Sequence, residues 1–114
     1  MMAAALQSPR VPSEAEIDVE LFTFVERYAT NPVRWDVLLF FGMHPDRRVT
    51  ISELARLMRR TVRATTKELD DLSYLGVLRR RYTPDKVTYQ LIRRGAPRRA
   101  VRRLAALAGN GRGR

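Results

Sequence analysis

Residues 51–80 read Ile51-Ser-Glu-Leu-Ala-Arg-Leu-Met-Arg-Arg-Thr-Val-Arg-Ala-Thr-Thr-Lys-Glu-Leu-Asp-Asp-Leu-Ser-Tyr-Leu-Gly-Val-Leu-Arg-Arg80, and this stretch decides the fold. Thr50 and Glu53 stand at capping-box spacing, where a hydroxyl and a carboxylate each accept from the other residue's backbone amide at a helix start. Ile51, Leu54, Ala55 and Met58 then make the inner face of a short helix that ends near Arg59 and Arg60. Thr61 is placed to cap a second helix. Its inner positions Thr65, Leu69, Leu72 and Leu75 fall at i, i+4, i+7 and i+10, the helical period. Gly76 takes the place where a left-handed residue stops a helix. Two helices therefore meet at a tight turn.

Working outward, residues 77–82 and 87–92 are rich in strand formers and are joined by Thr83-Pro84-Asp85-Lys86, whose Pro-Asp pair is turn chemistry, so they predict a hairpin. On the other side, His44-Pro45-Asp46 is a turn and residues 47–51 give one short extended segment. Asn31-Pro32 reads as an N-cap with proline at the first helical position, opening a helix over 33–41 that closes at Gly42. Only Arg34 and Asp36 are polar in that helix, which predicts the buried centre of the domain. Ser13 with Glu16 starts a helix over 14–29 whose stripe is Ile17, Leu21, Phe24, Val25 and Tyr28. Trp35 is expected in the core and His44 in a loop. After Gly95 a last helix over 96–108 carries Ala100, Val101, Leu104, Leu107 and Ala108 on one side and Arg98, Arg99, Arg102 and Arg103 on the other. The chain thus divides into a tail over 1–12, one domain over 13–108 and a basic tail over 109–114. No repeat at a fixed period is visible.

The order helix, helix, extended segment, helix, tight turn, helix, hairpin, helix resembles the winged helix-turn-helix transcription regulators. It is nearest to the small bacterial and archaeal repressors of the multiple-antibiotic-resistance and arsenic-resistance kinds (MarR-like and ArsR-like). The matching features are Glu53-Leu54-Ala55, the Thr61 cap, the Leu69/Leu72 pair, and Gly76-Val77-Leu78 leading into a basic wing. The resemblance spans about residues 33–92, and the outer helices match only in placement. It departs at Arg59-Arg60, where such families often carry glycine followed by an aliphatic residue. It implies a mostly α fold with a small β-hairpin. The recognition helix would span about 62–75 in the major groove, and the wing 77–92 would meet the backbone or minor groove of double-stranded DNA.

Composition narrows the chemistry independently. At 114 residues the chain is one domain's worth, and with 45% hydrophobic residues it can bury a core without staples. Cysteine is absent and His44 is the only histidine. That removes disulfides, thiolate nucleophiles and zinc or copper sites, so no metal or other cofactor is expected. Asp70-Asp71 is the one close carboxylate pair, about 100° apart on a helix with no base or nucleophile near it, and no phosphate-cradling glycine motif occurs. The inventory is not that of an enzyme. The longest apolar run, 37–41, is far short of the roughly 20 residues of a membrane span, and the N-terminal third lacks signal-peptide order, which leaves a cytoplasmic location and no membrane partner. Net charge is +10, and it is segregated: residues 1–46 hold 3 basic and 7 acidic side chains, residues 47–114 hold 19 and 5. Arginine codon bias accounts for only Lys67 and Lys86 being lysine, not for the segregation. A polyanion is the partner this predicts.

A major groove about 12 Å wide admits one helix whose outer face near its start carries donors while its inner face is locked to a core. With Thr65, Leu69 and Leu72 inward, Arg63, Thr66 and Lys67 project outward just after Thr61, whereas Glu68, Asp70 and Asp71 come where the helix would leave the groove. Arg63 suits a guanine edge, Thr66 a phosphate or thymine methyl, and Lys67 phosphate. Arg79, Arg80 and Arg81 with Lys86 make the wing basic. Alternation sets Arg79 and Arg81 on one face and Arg80 on the other, so only part of the run would touch DNA, and Arg80 and Lys86 are expected to meet its backbone. The last helix has three open uses: its arginines along phosphates, a basic amphipathic helix on a membrane, or its stripe against its own domain or a twin. The first helix invites the same twin reading, so a homodimer is expected. Three functions stand: a sequence-specific DNA-binding transcription regulator, a winged-helix protein-interaction module, and a nonspecific DNA- or RNA-binding architectural protein.

Overall fold

The computed structural model describes residues 14–112, arranged as α1 (Glu14–Tyr28), α2 (Pro32–Met43), α3 (Ile51–Met58), α4 (Val62–Tyr74), β1 (Leu78–Tyr82), β2 (Val87–Leu91) and α5 (Ala96–Arg112). The expected mostly α fold with a small hairpin is what forms. The 1–12 tail and the Ser13 cap lie outside the described residues.

Helix α2 is the centre because it is apolar nearly all round. Val37, Leu38 and Phe41 are fully buried, with α5, α4 and β2 packed around them. Its start follows from sequence: the Asn31 side chain accepts from the Arg34 amide, and Pro32 loses nothing at a position whose amide has no helical partner. Its end does not. Gly42 is not the stop, since the helix runs to Met43 and is capped at His44, whose amide donates to the Phe40 carbonyl at 2.9 Å. The glycine instead lets α5 come close. A Cβ there would collide with the Val101 carbonyl oxygen and stand 2.6 Å from Ala105 Cβ.

Both helix-turn-helix starts form as the capping chemistry requires. Thr50 Oγ1 accepts from the Glu53 amide at 3.1 Å while Glu53 Oε1 accepts from the Thr50 amide at 2.8 Å. That backbone hydrogen bond, the largest cause, holds the Glu53 carboxyl below its usual pKa. Thr61 Oγ1 accepts from the Ala64 amide at 3.0 Å. Between them Arg59 sits in the left-handed region at φ 57°, ψ 45°. The Arg60 amide reaches the Ala55 carbonyl at 2.9 Å, a closure that normally uses glycine and costs a side-chain-bearing residue roughly 1–2 kcal/mol. The Arg59 departure therefore leaves the turn geometry intact. Gly76, at φ 84°, ends α4 by the same device, with the Val77 amide on the Leu72 carbonyl.

Strands β1 and β2 pair antiparallel, Leu78 opposite Leu91, Arg80 opposite Tyr89 and Tyr82 opposite Val87. The short extended segment appears as one bridge, Val49 to Tyr89, with both of its hydrogen bonds, 3.0 and 2.8 Å. In α5, Ala100, Val101, Leu104 and Ala105 are buried, so its stripe lies against its own domain. Leu75 and Leu107, expected on inner faces, are instead 41% and 43% exposed. Leu75 is the α4 cap, where the chain turns away from the core. Helix α5 continues past Gly109 to Arg112; positive φ at glycine is found at Gly76 and Gly95.

Candidate nucleic-acid interface

Helix α4 presents two different halves. Thr65, Leu69 and Leu72 are fully buried and fix its inner face. At its start Thr61, Arg63 and Lys67 are exposed and Thr66 is half-buried. The Thr66 hydroxyl donates to the Val62 carbonyl at 2.7 Å, which leaves its oxygen lone pairs outward. Lys67 Nζ lies 2.9 Å from Asp71 Oδ2, and this contact, with the charge of Asp71 second, raises the lysine pKa while lowering that of Asp71. Among the described residues Arg63 takes no such partner.

In the second half every carboxylate is used internally. Arg34, buried on α2, donates from Nε to Glu68 Oε1 at 2.6 Å and from Nη2 to Asp71 Oδ2 at 2.9 Å. Asn31 Nδ2 donates to Glu68 Oε2 at 3.1 Å. Asp70 Oδ1 accepts from Arg80 Nη2 at 2.8 Å and from the Tyr89 hydroxyl at 3.0 Å. Sequence reasoning missed this clamp. Glu68 lies three residues after Thr65 and four before Leu72, on the inward stripe itself, and Arg34 is the cation of an otherwise apolar helix. Together they gave the missing signal. Asp70 and Asp71 diverge to separate partners rather than making a catalytic pair.

The hairpin divides its arginines by alternation. Arg80 lies on the face of Leu78 and Tyr82, its guanidinium 5.5 Å from the Tyr89 ring centroid, and it donates to the Tyr82 hydroxyl at 3.1 Å. It ties the hairpin to α4. Arg79 is exposed on the other face, Arg81 is half-buried there, and Lys86 is exposed at the tip. The fold thus brings Thr61, Arg63, Thr66 and Lys67 together on one helix start, and holds the hairpin beside that helix through Arg80. Arg60, bound to Asp36 Oδ2 at 2.6 Å, fixes the α3–α4 turn to α2. Among the described residues no cluster of histidine and carboxylates could hold a metal ion, and no helix is long and apolar enough to cross a membrane.

No protein-family model and no curated protein sequence matches the chain. Solved structures do. The fold is similar to the YusO protein from Bacillus subtilis, at TM-score 0.54 and 18% identity over 87% of this chain and 72% of that one. It is similar also to the AntR antimony-specific transcriptional repressor, at TM-score 0.58 and 18% identity over 100% of this chain and 98% of that one. At such identity the likeness speaks to fold alone, and with the helix-turn-helix, its hairpin and the bridge at Val49 already placed, the chain has a winged helix-turn-helix fold.

Proposed function

We propose that this protein is a sequence-specific double-stranded DNA-binding transcription regulator, with α4 in the major groove and the wing over 77–92 on the backbone or minor groove. The observation that carries the reading is the partition of α4. Its donors stand outward at the start, while its carboxylates are neutralised by Arg34, Arg80 and Lys67, with Asn31 donating a further hydrogen bond to Glu68, so the face offered to a phosphate lattice stays positive. Arg63 reads a base edge; Thr61 and Lys67 fix the helix on the backbone, and Thr66, its hydroxyl proton taken by the Val62 carbonyl, offers its methyl to a thymine methyl. Arg79, Arg81 and Lys86 supply wing contacts, and Arg80 acts through the wing it holds in place. The AntR neighbour is a transcriptional repressor, which supports the same reading.

A homodimer fits the need to span two half-sites about one helical turn apart. Val19, Phe22 and Leu107, more than two-fifths exposed across α1 and α5, are the apolar surface that a second copy would cover. Light scattering is expected to give about twice the 13.2 kDa chain mass. The protein would act where the chromosome is, in the cytoplasm.

Selection of bound sequences from a random duplex pool tests the function, with one preferred motif as the expected result. The salt dependence gives the mechanism: at about four to six phosphates per protomer, log K against log salt should fall with a slope near −4 to −5. A slope near zero would instead favour the protein-interaction module, and a steep slope with no preferred motif the architectural one.

A further inference from the structure

A second basic surface lies away from α4. Arg94, Arg98, Arg99, Arg102 and Arg103 line an open groove of about 500 Å³ along the first turns of α5. Two of these arginines meet carboxylates: Arg98 Nη2 lies 3.3 Å from Asp46 Oδ1, and Arg99 Nη2 2.9 Å from Glu20 Oε2. Arg98 is also anchored by the Ile92 carbonyl at 3.1 Å. Arg94 and Arg102 are exposed, and among the described residues neither makes an ion pair. The groove opens at the root of the hairpin, next to Ile92, whereas Lys86 is at its tip. Five-residue strands separate the two ends by roughly 15 Å.

We propose that this α5 groove is a second phosphate-binding surface, holding a further segment of duplex DNA by its backbone while α4 engages the first. Charge complementarity selects a polyanion, and forked guanidiniums suit phosphate oxygens. An anionic lipid surface is the poorer fit. Membrane-surface helices insert an apolar face, and that of α5, Ala100, Val101, Leu104 and Ala105, is buried against its own domain. The groove carries no base-reading geometry, so it is indifferent to sequence, and it does not depend on Arg63 reading bases.

The test follows the side-chain Nε–Hε resonances of Arg63, Arg94 and Arg102 in the full-length, isotope-labelled protein as a scrambled duplex of about 20 base pairs is added at about 50 mM salt. Arg63 is expected to saturate first, with Arg94 and Arg102 continuing to shift as duplex exceeds that point. The double variant Arg94→Gln, Arg102→Gln should lose the later phase and keep both the Arg63 response and the melting temperature. Two phosphate contacts give a slope near −1.8, so raising salt from about 50 to 200 mM should weaken the later phase about tenfold. Phosphatidylglycerol vesicles at equal phosphate should shift neither resonance. Silence of Arg94 and Arg102 in excess duplex overturns the proposal. So does an equal response to vesicles, or a later phase that survives in the double variant. A silent Arg63 beside responding Arg94 and Arg102 would defeat the reading of α4 and leave the groove standing.

Discussion

The two halves of α4 share one helix and differ in what their charges do. Its start holds Arg63 in solvent and Lys67 on an exposed contact with Asp71, and its end holds Glu68, Asp70 and Asp71, each on an intramolecular partner. A helix that enters a groove needs both: outward donors within reach of a ligand, and an anchored body that does not swing when they bind. Glu68 is 4% exposed and Arg34 7%, so this anchor is a desolvated ion pair, whereas the Arg80–Asp70 link is half-exposed. The first holds the helix to the core, and the second sets the wing.

The largest effect should come from the buried anchor. Arg34→Leu strands Glu68 without its cation, and urea denaturation should show a loss of about 3–5 kcal/mol. Adding Glu68→Leu should recover most of it, because an apolar pair of similar volume removes the uncompensated charge. A loss below about 1 kcal/mol for the single variant would mean that the clamp does not hold α4.

Asp70→Ala sharpens the comparison at the exposed link. Screening limits its cost to about 0.2–1 kcal/mol. The freed Arg80 becomes available to phosphate, so the salt slope should steepen by about 0.9. An unchanged slope would show that Arg80 stays where it is without its carboxylate.

The smallest effect lies at high pH. Burial, then the hydrogen bond to Asp70, raises the Tyr89 phenol above its usual pKa. With the folded value above the unfolded one near 10, its contribution is present below about pH 10 and is lost as pH rises through the folded value. Tyr89→Phe should be slightly less stable at neutral pH and show a shallower alkaline decline. Parallel curves would remove Tyr89 from the wing's anchor.

Local signals in the sequence were strong enough for the fold. The Thr50–Glu53 box, the Thr61 cap, Asn31-Pro32 and the Pro84-Asp85 turn each act over a few residues, and each forms where its chemistry requires. Alternation also separated Arg80 from Arg79 and Arg81. What escaped was set by contacts distant in sequence. Gly42 looks like a helix stop until Val101 and Ala105 are known to cross it. Asp70 gives no hint that Arg80, ten residues on, will fold back to it across a turn. Arg34 and Glu68, 34 residues apart, could be paired only by noticing that each is the misfit on an apolar face.

The central claim is that the start of α4 reads bases while the wing holds backbone, and binding measured side by side on preferred and scrambled duplexes tests it most directly. Arg63→Ala should leave stability within about 0.5 kcal/mol, cost roughly 1–3 kcal/mol on the preferred duplex and relax the preference at one base pair. Lys86→Ala should weaken both duplexes equally and reduce the salt slope by about one. If Arg63→Ala weakens the preferred and the scrambled duplex to the same extent, α4 does not read bases and the account is contradicted.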